Sequence, residues 1–306
     1  MAEKKRIRIA HTRGFCNGVK SAIAKVEAVL AEREKNGSED PVFLLHELVH
    51  NEVVVNSFRK RGVKIIDEPE EALSPPGTKG TLILSAHGVS RDVEKRALAT
   101  GLEIVDAACA IVCSLHKKAE QFSKEGKTIL LLGKRGHRET EGIAGRVETP
   151  VVILEEAGEV KEFLANLSPE EKNLPYGCLS QTTLEVEKVE KMKELLKEVL
   201  PFLTLSAQVC FATKERQDAV RELAKSCEMI LVAGSEKSSN SRRLCECARE
   251  AGSAAILVPD PEKLDLSLLL PYQSIGVSSG ASAPEESFRL LLERLLHNPL
   301  FEGILE

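Results

Sequence analysis

The chain has 306 residues, enough for two or three domains with buried cores. Its 42 basic and 47 acidic side chains give a net charge of −5, and it contains two tyrosines and no tryptophan, a composition that argues against nucleic-acid binding. No apolar run approaches the roughly 20 residues that cross a bilayer, and the run after the basic start is too short for a signal peptide. We therefore predict a globular cytoplasmic protein that binds neither nucleic acid nor membrane.

The first third of the chain alternates short apolar strands with amphipathic helices. RIRIA leads into the loop of Cys16 and then a helical pattern, and VFLL leads into a loop that holds His50. VKIID, followed by acidic and turn residues, is typical of an edge strand, and TLILS precedes the loop of His87. Ser90 is placed to cap the next helix, ahead of carboxylates in its first turn.

The second third repeats this plan. LEIVD leads to the loop of Cys109, and TILLLG leads to a loop with His137 and Glu139. PVVIL is again typical of an edge strand, and YGCLS precedes a polar loop that contains Thr182. Thr183 is placed as a helix cap.

The last third follows the same order. LTLSA leads to the loop of Cys210, and MILVAG leads to Ser238, Ser239 and Asn240. AAILV matches the edge-strand pattern, and SIGVSS precedes Ser282, which is placed as a helix cap.

This recurrence predicts the fold class. Strands that alternate with helices imply right-handed crossovers and parallel sheets, so we expect an α/β protein with three small domains of about four strands each. The predicted domains are residues 18–110, residues 111–206, and residues 207–306 together with the N-terminal segment 1–17. Ligands of open α/β sheets bind beyond the carboxyl ends of the strands, so three domains facing one another there would enclose one central site.

One cysteine recurs in each of the three repeats, at intervals of 93 and 101 residues. Three converging thiolates without a fourth ligand favour an iron-sulfur cluster with one open iron over zinc. The alternative is core packing, a common role of cysteine. Repetition at equivalent strand ends distinguishes Cys16, Cys109 and Cys210. The cysteines that lack this repetition are Cys113, Cys178, Cys227, Cys245 and Cys247.

The polar loops offer many hydrogen-bond donors and few charges, which suits an anion such as diphosphate near helix amino termini. The candidate binding residues are His50, His87, His137, Thr182, Ser238, Ser239, Asn240 and Ser282. Helix capping and solvent exposure are the alternatives for the serines and the histidines. Glu139 is a candidate proton donor, although the helix dipole also favours a first-turn glutamate.

Nine short motifs occur along the chain in a fixed order. They are RGFCNGV, HELVHN, SAHGVS, DAAC, GHRETEG, QTTL, VCFAT, SSNS and GASAP. From about residue 11 to about residue 285, this set resembles the 4-hydroxy-3-methylbut-2-enyl diphosphate reductase (IspH/LytB) family. Each motif alone is weak, but their common order makes the resemblance specific.

The resemblance implies a pseudo-threefold trefoil of α/β domains around a [4Fe-4S] cluster, with Cys16, Cys109 and Cys210 as ligands and one open iron facing the substrate. It implies reductive dehydration of a small-molecule diphosphate to isopentenyl and dimethylallyl diphosphate, in non-mevalonate isoprenoid biosynthesis. Glu139 matches the acid that delivers protons and Thr182 a threonine that contacts the substrate hydroxyl.

The remaining candidates match the diphosphate pocket of that family. They are His50, His87, His137, Ser238, Ser239, Asn240 and Ser282, and we count His137 among the catalytic candidates as well. The electrons need an external donor, since the chain has no nucleotide-binding glycine fingerprint after its strands. By the same resemblance, ferredoxin or flavodoxin is the expected donor.

Three departures from the family pattern stand out. Arg138 and Ala110 each replace a proline, and Lys214 and Glu215 stand where neutral residues are common. We expect Arg138 to alter the substrate fit or to lower the pKa of Glu139. Three alternatives stay open: a paralogue with the same cluster and another substrate, a non-enzymatic iron-sulfur redox sensor, and a redox-neutral dehydratase.

Overall fold

The computed structural model describes residues 5–299 and 301–305. The strands are β1 (Lys5–Ile9), β2 (Val42–Leu45), β3 (Lys64–Ile66), β4 (Thr81–Leu84), β5 (Glu103–Asp106), β6 (Thr128–Leu132), β7 (Val151–Leu154), β8 (Tyr176–Ser180), β9 (Leu203–Leu205), β10 (Met229–Ala233), β11 (Ala254–Val258), β12 (Ser274–Ser279) and β13 (Phe301–Leu305). The α-helices are α1 (Asn17–Lys35), α2 (Glu52–Lys60), α3 (Arg91–Ala99), α4 (Ala110–Lys124), α5 (Arg138–Ala144), α6 (Ala157–Asn166), α7 (Pro169–Lys172), α8 (Val186–Val199), α9 (Phe211–Ala224), α10 (Ser239–Glu250) and α11 (Glu285–Leu296).

These strands form three sheets, and every strand pair is parallel. The strand orders are β3-β2-β4-β5, β7-β6-β8-β9 and β11-β10-β12-β1-β13. The α/β class with three small parallel sheets is therefore confirmed, and β3, β7 and β11 are the predicted edge strands. One sheet has five strands rather than about four, because β13 pairs with β1 and buries Phe301 in the core.

The chain divides into two compact units. One comprises the described parts of 1–19, 50–55 and 211–306 and contains the five-stranded sheet. The other comprises 20–49 and 56–210 and contains both four-stranded sheets. The N-terminal strand β1 pairs with β12, and so belongs to the sheet of the C-terminal third. The boundaries of the three domains stay a prediction.

The central strands β2 and β10 are apolar along their whole length, and β6 is apolar after Thr128, as expected of strands whose two faces are both covered by helices. In β10, Leu231 packs with Ile275 and Phe288 on one face, whereas Ile230 packs with Val220 on the other. β6 shows the same alternation: Leu130 and Leu132 belong to one core, and Ile129 and Leu131 belong to another. The strands are therefore fixed from both sides, and their carboxyl ends present the loops in defined positions.

One of the three predicted helix caps is confirmed. Ser90 Oγ accepts a hydrogen bond from the backbone N–H of Val93 at 3.2 Å. The prediction for Thr183 is wrong, because α8 begins only at Val186, after Glu185. The prediction for Ser282 is also wrong, because α11 begins after Pro284. A proline disfavours helical backbone in the residue before it, which delays this start.

Within the described residues, no helix is both long enough and apolar enough to span a membrane.

Candidate active site

The three recurring cysteines occupy equivalent places in the fold. Cys16, Cys109 and Cys210 are half-buried thiols, each directly before the first residue of α1, α4 or α9. Each backbone N–H donates a 3.1 Å hydrogen bond to a carbonyl of another loop. The accepting carbonyls belong to Ala281, Ala86 and Thr182, respectively. The loops that follow β12, β4 and β8 therefore hold the cysteine backbones by the same contact.

These thiols suit a metal cluster better than the buried cysteines do. Cys178 and Cys245 are buried in apolar cores, where burial raises their thiol pKa values to about 12 and about 11. The recurring cysteines lie outside those cores, each directly before a helix. The N–H of Val19 also points at Cys16 Sγ, at 3.5 Å, the type of contact that tunes cluster sulfurs. The donor set therefore fits a thiolate-bound iron-sulfur cluster.

Cys16 lies in the unit with the five-stranded sheet, whereas Cys109 and Cys210 lie in the other unit. In residues 5–299 and 301–305, no three histidine, cysteine or acidic side chains group closely enough to hold one metal ion. The ligand assignment accordingly stays a prediction.

Glu139 is a buried acid with an unusual proton affinity. It lies in the first turn of α5 and is 2% exposed. Its Oε1 accepts the backbone N–H of Thr182 at 2.7 Å, and its Oε2 accepts the Thr182 hydroxyl at 2.9 Å. Burial raises the pKa of Glu139 to about 7, although both Thr182 bonds act in the opposite direction. Near neutral pH, the carboxyl can therefore both hold and release a proton.

Thr182 is fixed by its neighbour Gln181, which the sequence prediction did not assign to the site. Gln181 is fully buried, its Oε1 accepts the N–H of Lys134 at 3.0 Å, and its Nε2 donates to Thr183 Oγ1 at 2.9 Å. The Gln181 side chain thus ties the loop after β8 to the loop after β6. The only sequence signal for this role is its place at a strand end beside Thr182.

Two predicted histidines lie together beside this acid. His137 caps α5 and its Nδ1 accepts the N–H of Glu139 at 3.2 Å, so Nε2 is the nitrogen of the neutral ring that can donate. The ring of His87 meets the ring of His137 edge to face, with centroids 6.0 Å apart. The structure therefore brings together His87, His137, Glu139 and Thr182, from loops more than 40 residues apart along the chain.

The other unit brings together the predicted serines. Ser238 caps α10 by accepting the N–H of Ser241 at 3.2 Å, as the capping alternative predicted. Ser282 Oγ lies 3.5 Å from Ser238 Oγ and 3.4 Å from the carbonyl oxygen of His50. Ser239 follows in the first turn of the same helix. These hydroxyls surround the amino terminus of a 12-residue helix, which attracts an anion.

Asn240 gives this second group its clearest sign of a ligand. It is 4% exposed, and neither Nδ2 nor Oδ1 of its amide has a hydrogen-bond partner in the described part of the chain. A buried polar group without a partner costs free energy, and a polar ligand would satisfy it.

Two glycines make room for this helix start. A Cβ on Gly234 or on Gly280 would overlap Ser241 Oγ. The ends of β10 and β12 can therefore approach α10 closely only with glycine at both positions. The sequence prediction did not single out these glycines, although each directly follows a buried strand.

The expectation for Arg138 is wrong with respect to Glu139. The guanidinium of Arg138 is exposed, and its nitrogens lie 4.0 Å from a carboxylate oxygen of Asp67 and 3.9 Å from one of Glu141. The pKa of Glu139 is raised rather than lowered, because burial dominates, and the Arg138 side chain is exposed to solvent. Lys214, another departure, pairs with Asp218 on the surface of α9.

The parallel α/β sheets, the strand-end thiols and the buried acid are the features expected of an iron-sulfur oxidoreductase. A sequence model of the LytB protein family matches residues 7–296. The chain belongs to this family.

Curated relatives agree in length and sequence. The 4-hydroxy-3-methylbut-2-enyl diphosphate reductase of Nitrosomonas europaea is 40% identical over 295 residues, which cover 95% of this chain and 87% of the relative. The reductase of the same name from Desulfotalea psychrophila is 38% identical over 301 residues, which cover 98% of this chain and 92% of the relative.

A solved structure agrees in fold. The E-1-hydroxy-2-methyl-but-2-enyl-4-diphosphate reductase of Plasmodium falciparum has a TM-score of 0.89 and 28% identity, over 99% of this chain and 91% of that one.

Proposed function

We propose that this chain is a 4-hydroxy-3-methylbut-2-enyl diphosphate reductase that forms isopentenyl and dimethylallyl diphosphate. The reaction breaks the allylic C–O bond, consumes two electrons and two protons, and releases the oxygen as water. The printed activity of the relatives and the buried Glu139 support this proposal. The observation that carries it is a carboxyl with a pKa of about 7, bonded to Thr182.

Cys16, Cys109 and Cys210 are the proposed ligands of a [4Fe-4S] cluster with one open iron. When bound, such a cluster supplies electrons and a Lewis-acidic iron for the substrate oxygen. The protein's part is to present three half-buried thiols at strand ends, with backbones held by equivalent hydrogen bonds.

The diphosphate is the proposed ligand of the polar loops. The binding residues are His50, His87, His137, Ser238, Ser239, Asn240 and Ser282. The unsatisfied Nδ2 of Asn240 and the start of α10 support this role, because the amide N–H groups and the helix amino terminus both favour an anionic oxygen. Neutral donors hold an anion in orientation without needing matched buried charges.

Glu139 is the proposed proton donor and Thr182 the residue that contacts the substrate hydroxyl. A carboxyl with a pKa of about 7 is protonated in a large fraction of molecules at neutral pH, which suits a general acid. Thr182 Oγ1 donates to Glu139, so the threonine links the acid to the position of the leaving hydroxyl. His137 holds the N–H of Glu139 and is the third catalytic candidate.

The electrons require an external donor, and ferredoxin or flavodoxin is the proposed class. The cytoplasmic location also stays a prediction.

An anaerobic assay tests the function. Protein with a reconstituted cluster is supplied with 4-hydroxy-3-methylbut-2-enyl diphosphate and a reduced low-potential donor, and the products are separated by chromatography. We expect both five-carbon diphosphates, formed only with the donor present. An intact cluster with no conversion would refute the function, and conversion without electrons would indicate a redox-neutral dehydratase instead.

Cluster ligation has its own control. Cys109→Ser should lose bound iron and sulfide, whereas Cys113→Ser, one turn further along α4, should retain both. Equal iron loss in the two variants would contradict the ligand assignment.

A further inference from the structure

The loop that carries His87 is attached along the side of α5. The N–H of Arg91 donates to the carbonyl of Gly145 at 3.0 Å. The guanidinium Nε of Arg146 donates to the carbonyl of Val89 at 3.0 Å. Two consecutive residues after α5 thus hold the backbone on the carboxyl side of His87.

A third contact fills the space between this loop and the helix. The ring of His116, from α4, lies between Gly88 and Gly142 and is 5% exposed. A Cβ on Gly88 would lie 2.5 Å from His116 Cε1, and a Cβ on Gly142 would lie 3.3 Å from its Nε2. Gly88 also has a φ of +71°, which disfavours any other residue. The ring therefore contacts the two glycines directly, one beside His87 and one in α5.

Arg146 is itself held in place. Its Nη1 lies 2.8 Å from Glu94 and 3.6 Å from Glu120, and the side chain is 15% exposed. The two carboxylates therefore hold the guanidinium in the orientation in which its Nε donates to the Val89 carbonyl. Burial and the Arg146 charge lower the pKa of His116 to about 4, although Glu120 and Asp106 act in the opposite direction. His116 is thus a neutral ring at physiological pH and acts here by packing.

The opposite end of α5 carries the proposed chemistry. His137 caps this helix and Glu139 lies in its first turn. The helix has only seven residues, too few for stability by itself, so its position depends on tertiary contacts. The contacts of Arg146 and His116, together with the Arg91–Gly145 hydrogen bond, join it to the His87 loop, next to the edge-to-face pair of His87 and His137.

We propose that Arg146 and His116 are positioning residues that fix the anion-binding His87 against the helix of the proton donor Glu139. This inference rests on the proposed function, because it assigns His87 to the diphosphate. Neither residue touches the substrate. Arg146 acts through the Val89 carbonyl, and His116 acts through the backbone of Gly88.

The test is a double-mutant cycle in the cluster-containing protein. Inorganic diphosphate is the probe, and its dissociation constant is measured by calorimetry for wild type, Arg146→Ala, His87→Ala and the double variant. We expect Arg146→Ala to weaken binding about 5- to 20-fold in the wild type, but less than about twofold when His87 is already absent. A purely structural role would give the same loss in both backgrounds, and that result would overturn the proposal.

Arg146→Lys guards against loss of the fold. Lysine keeps the charge beside Glu94 but lacks the Nε donor to Val89, so we expect unchanged iron content, a raised KM for the allylic substrate and a smaller change in kcat. Arg33→Ala is the matched control, because Arg33 also donates from its guanidinium to loop carbonyls, those of Ser38 and Glu39, elsewhere in the same unit. We expect this control to bind and turn over normally.

The outcomes separate the two proposals. If wild type fails to reduce the substrate, the proposed function fails, while the diphosphate cycle still reports on Arg146. If wild type is active but Arg146→Lys has an unchanged KM, the positioning role fails alone.

Discussion

Replacing Glu139 with glutamine removes the proton that the buried acid exchanges. Glutamine has nearly the same shape, and its Oε1 can still accept the N–H of Thr182 while its Nε2 donates to the Thr182 hydroxyl. The variant therefore keeps the packing and changes the protonation. We expect its reductase activity to fall by about 100-fold or more, the usual effect of losing a general acid.

The size of the stability change follows from the raised pKa. In the unfolded chain the carboxyl titrates near its ordinary value of 4.5, and in the folded chain near 7. Between these values only the folded chain holds the proton, so the free energy of unfolding falls as the pH rises through this window. The difference in pKa corresponds to roughly 3 kcal/mol. Above about pH 7 the wild type bears this cost in full, and Glu139→Gln does not.

Urea unfolding at about pH 5, 6, 7 and 8 measures the effect, with both proteins at equal cluster occupancy. We expect wild type and Glu139→Gln to have similar stability near pH 5, and the variant to be more stable by up to about 3 kcal/mol near pH 8. A difference between the two proteins that is constant over this range would refute the raised pKa. It would also remove the physical reason for assigning the proton donor.

Three further substitutions test packing and ligand binding. Gly177→Ala places a Cβ onto the ring of Phe122, so we expect a loss of about 1–3 kcal/mol in the free energy of unfolding, whereas unchanged stability would contradict that overlap. Gly158→Ala, in open space on α6, should instead gain about 0.5–1 kcal/mol in the same urea measurement. Asn240→Leu removes two buried amide atoms without partners, so we expect a gain of about 1 kcal/mol together with roughly tenfold weaker binding of inorganic diphosphate by calorimetry. Tight binding by this variant would exclude the amide from the site.

Local pattern was sufficient for the fold class. The strands β4, β8 and β12 are buried along nearly their whole length. Their composition and their distance from the next helix can both be read from the sequence. The cap at Ser90 was predictable for the same reason, since its bond to Val93 joins residues three apart. The predicted caps at Thr183 and Ser282 were wrong because both helices begin later, α8 after Glu185 and α11 after Pro284.

The candidate site was predictable as a set of residues but not as an arrangement. Recurrence at strand ends selected Cys16, Cys109 and Cys210, and in the structure each is half-buried and makes the same type of backbone hydrogen bond. Gln181 and Gly280 lie in the motifs QTTL and GASAP, but their roles were not predicted because they depend on side chains and backbones that meet only after folding.

The sequence by itself determined the parallel α/β plan, the repeated order of its loops and the family, because strand patterns and short motifs are local in the chain. Only the tertiary structure decided the proton affinity of Glu139 and the direction of Arg138. Burial sets the pKa of Glu139, its hydrogen bonds come from Thr182, 43 positions away, and the exposed guanidinium of Arg138 points to Asp67 and Glu141. Desolvation and long-range contacts have no local signature, so a cation next to an acid in sequence had no effect on it in space.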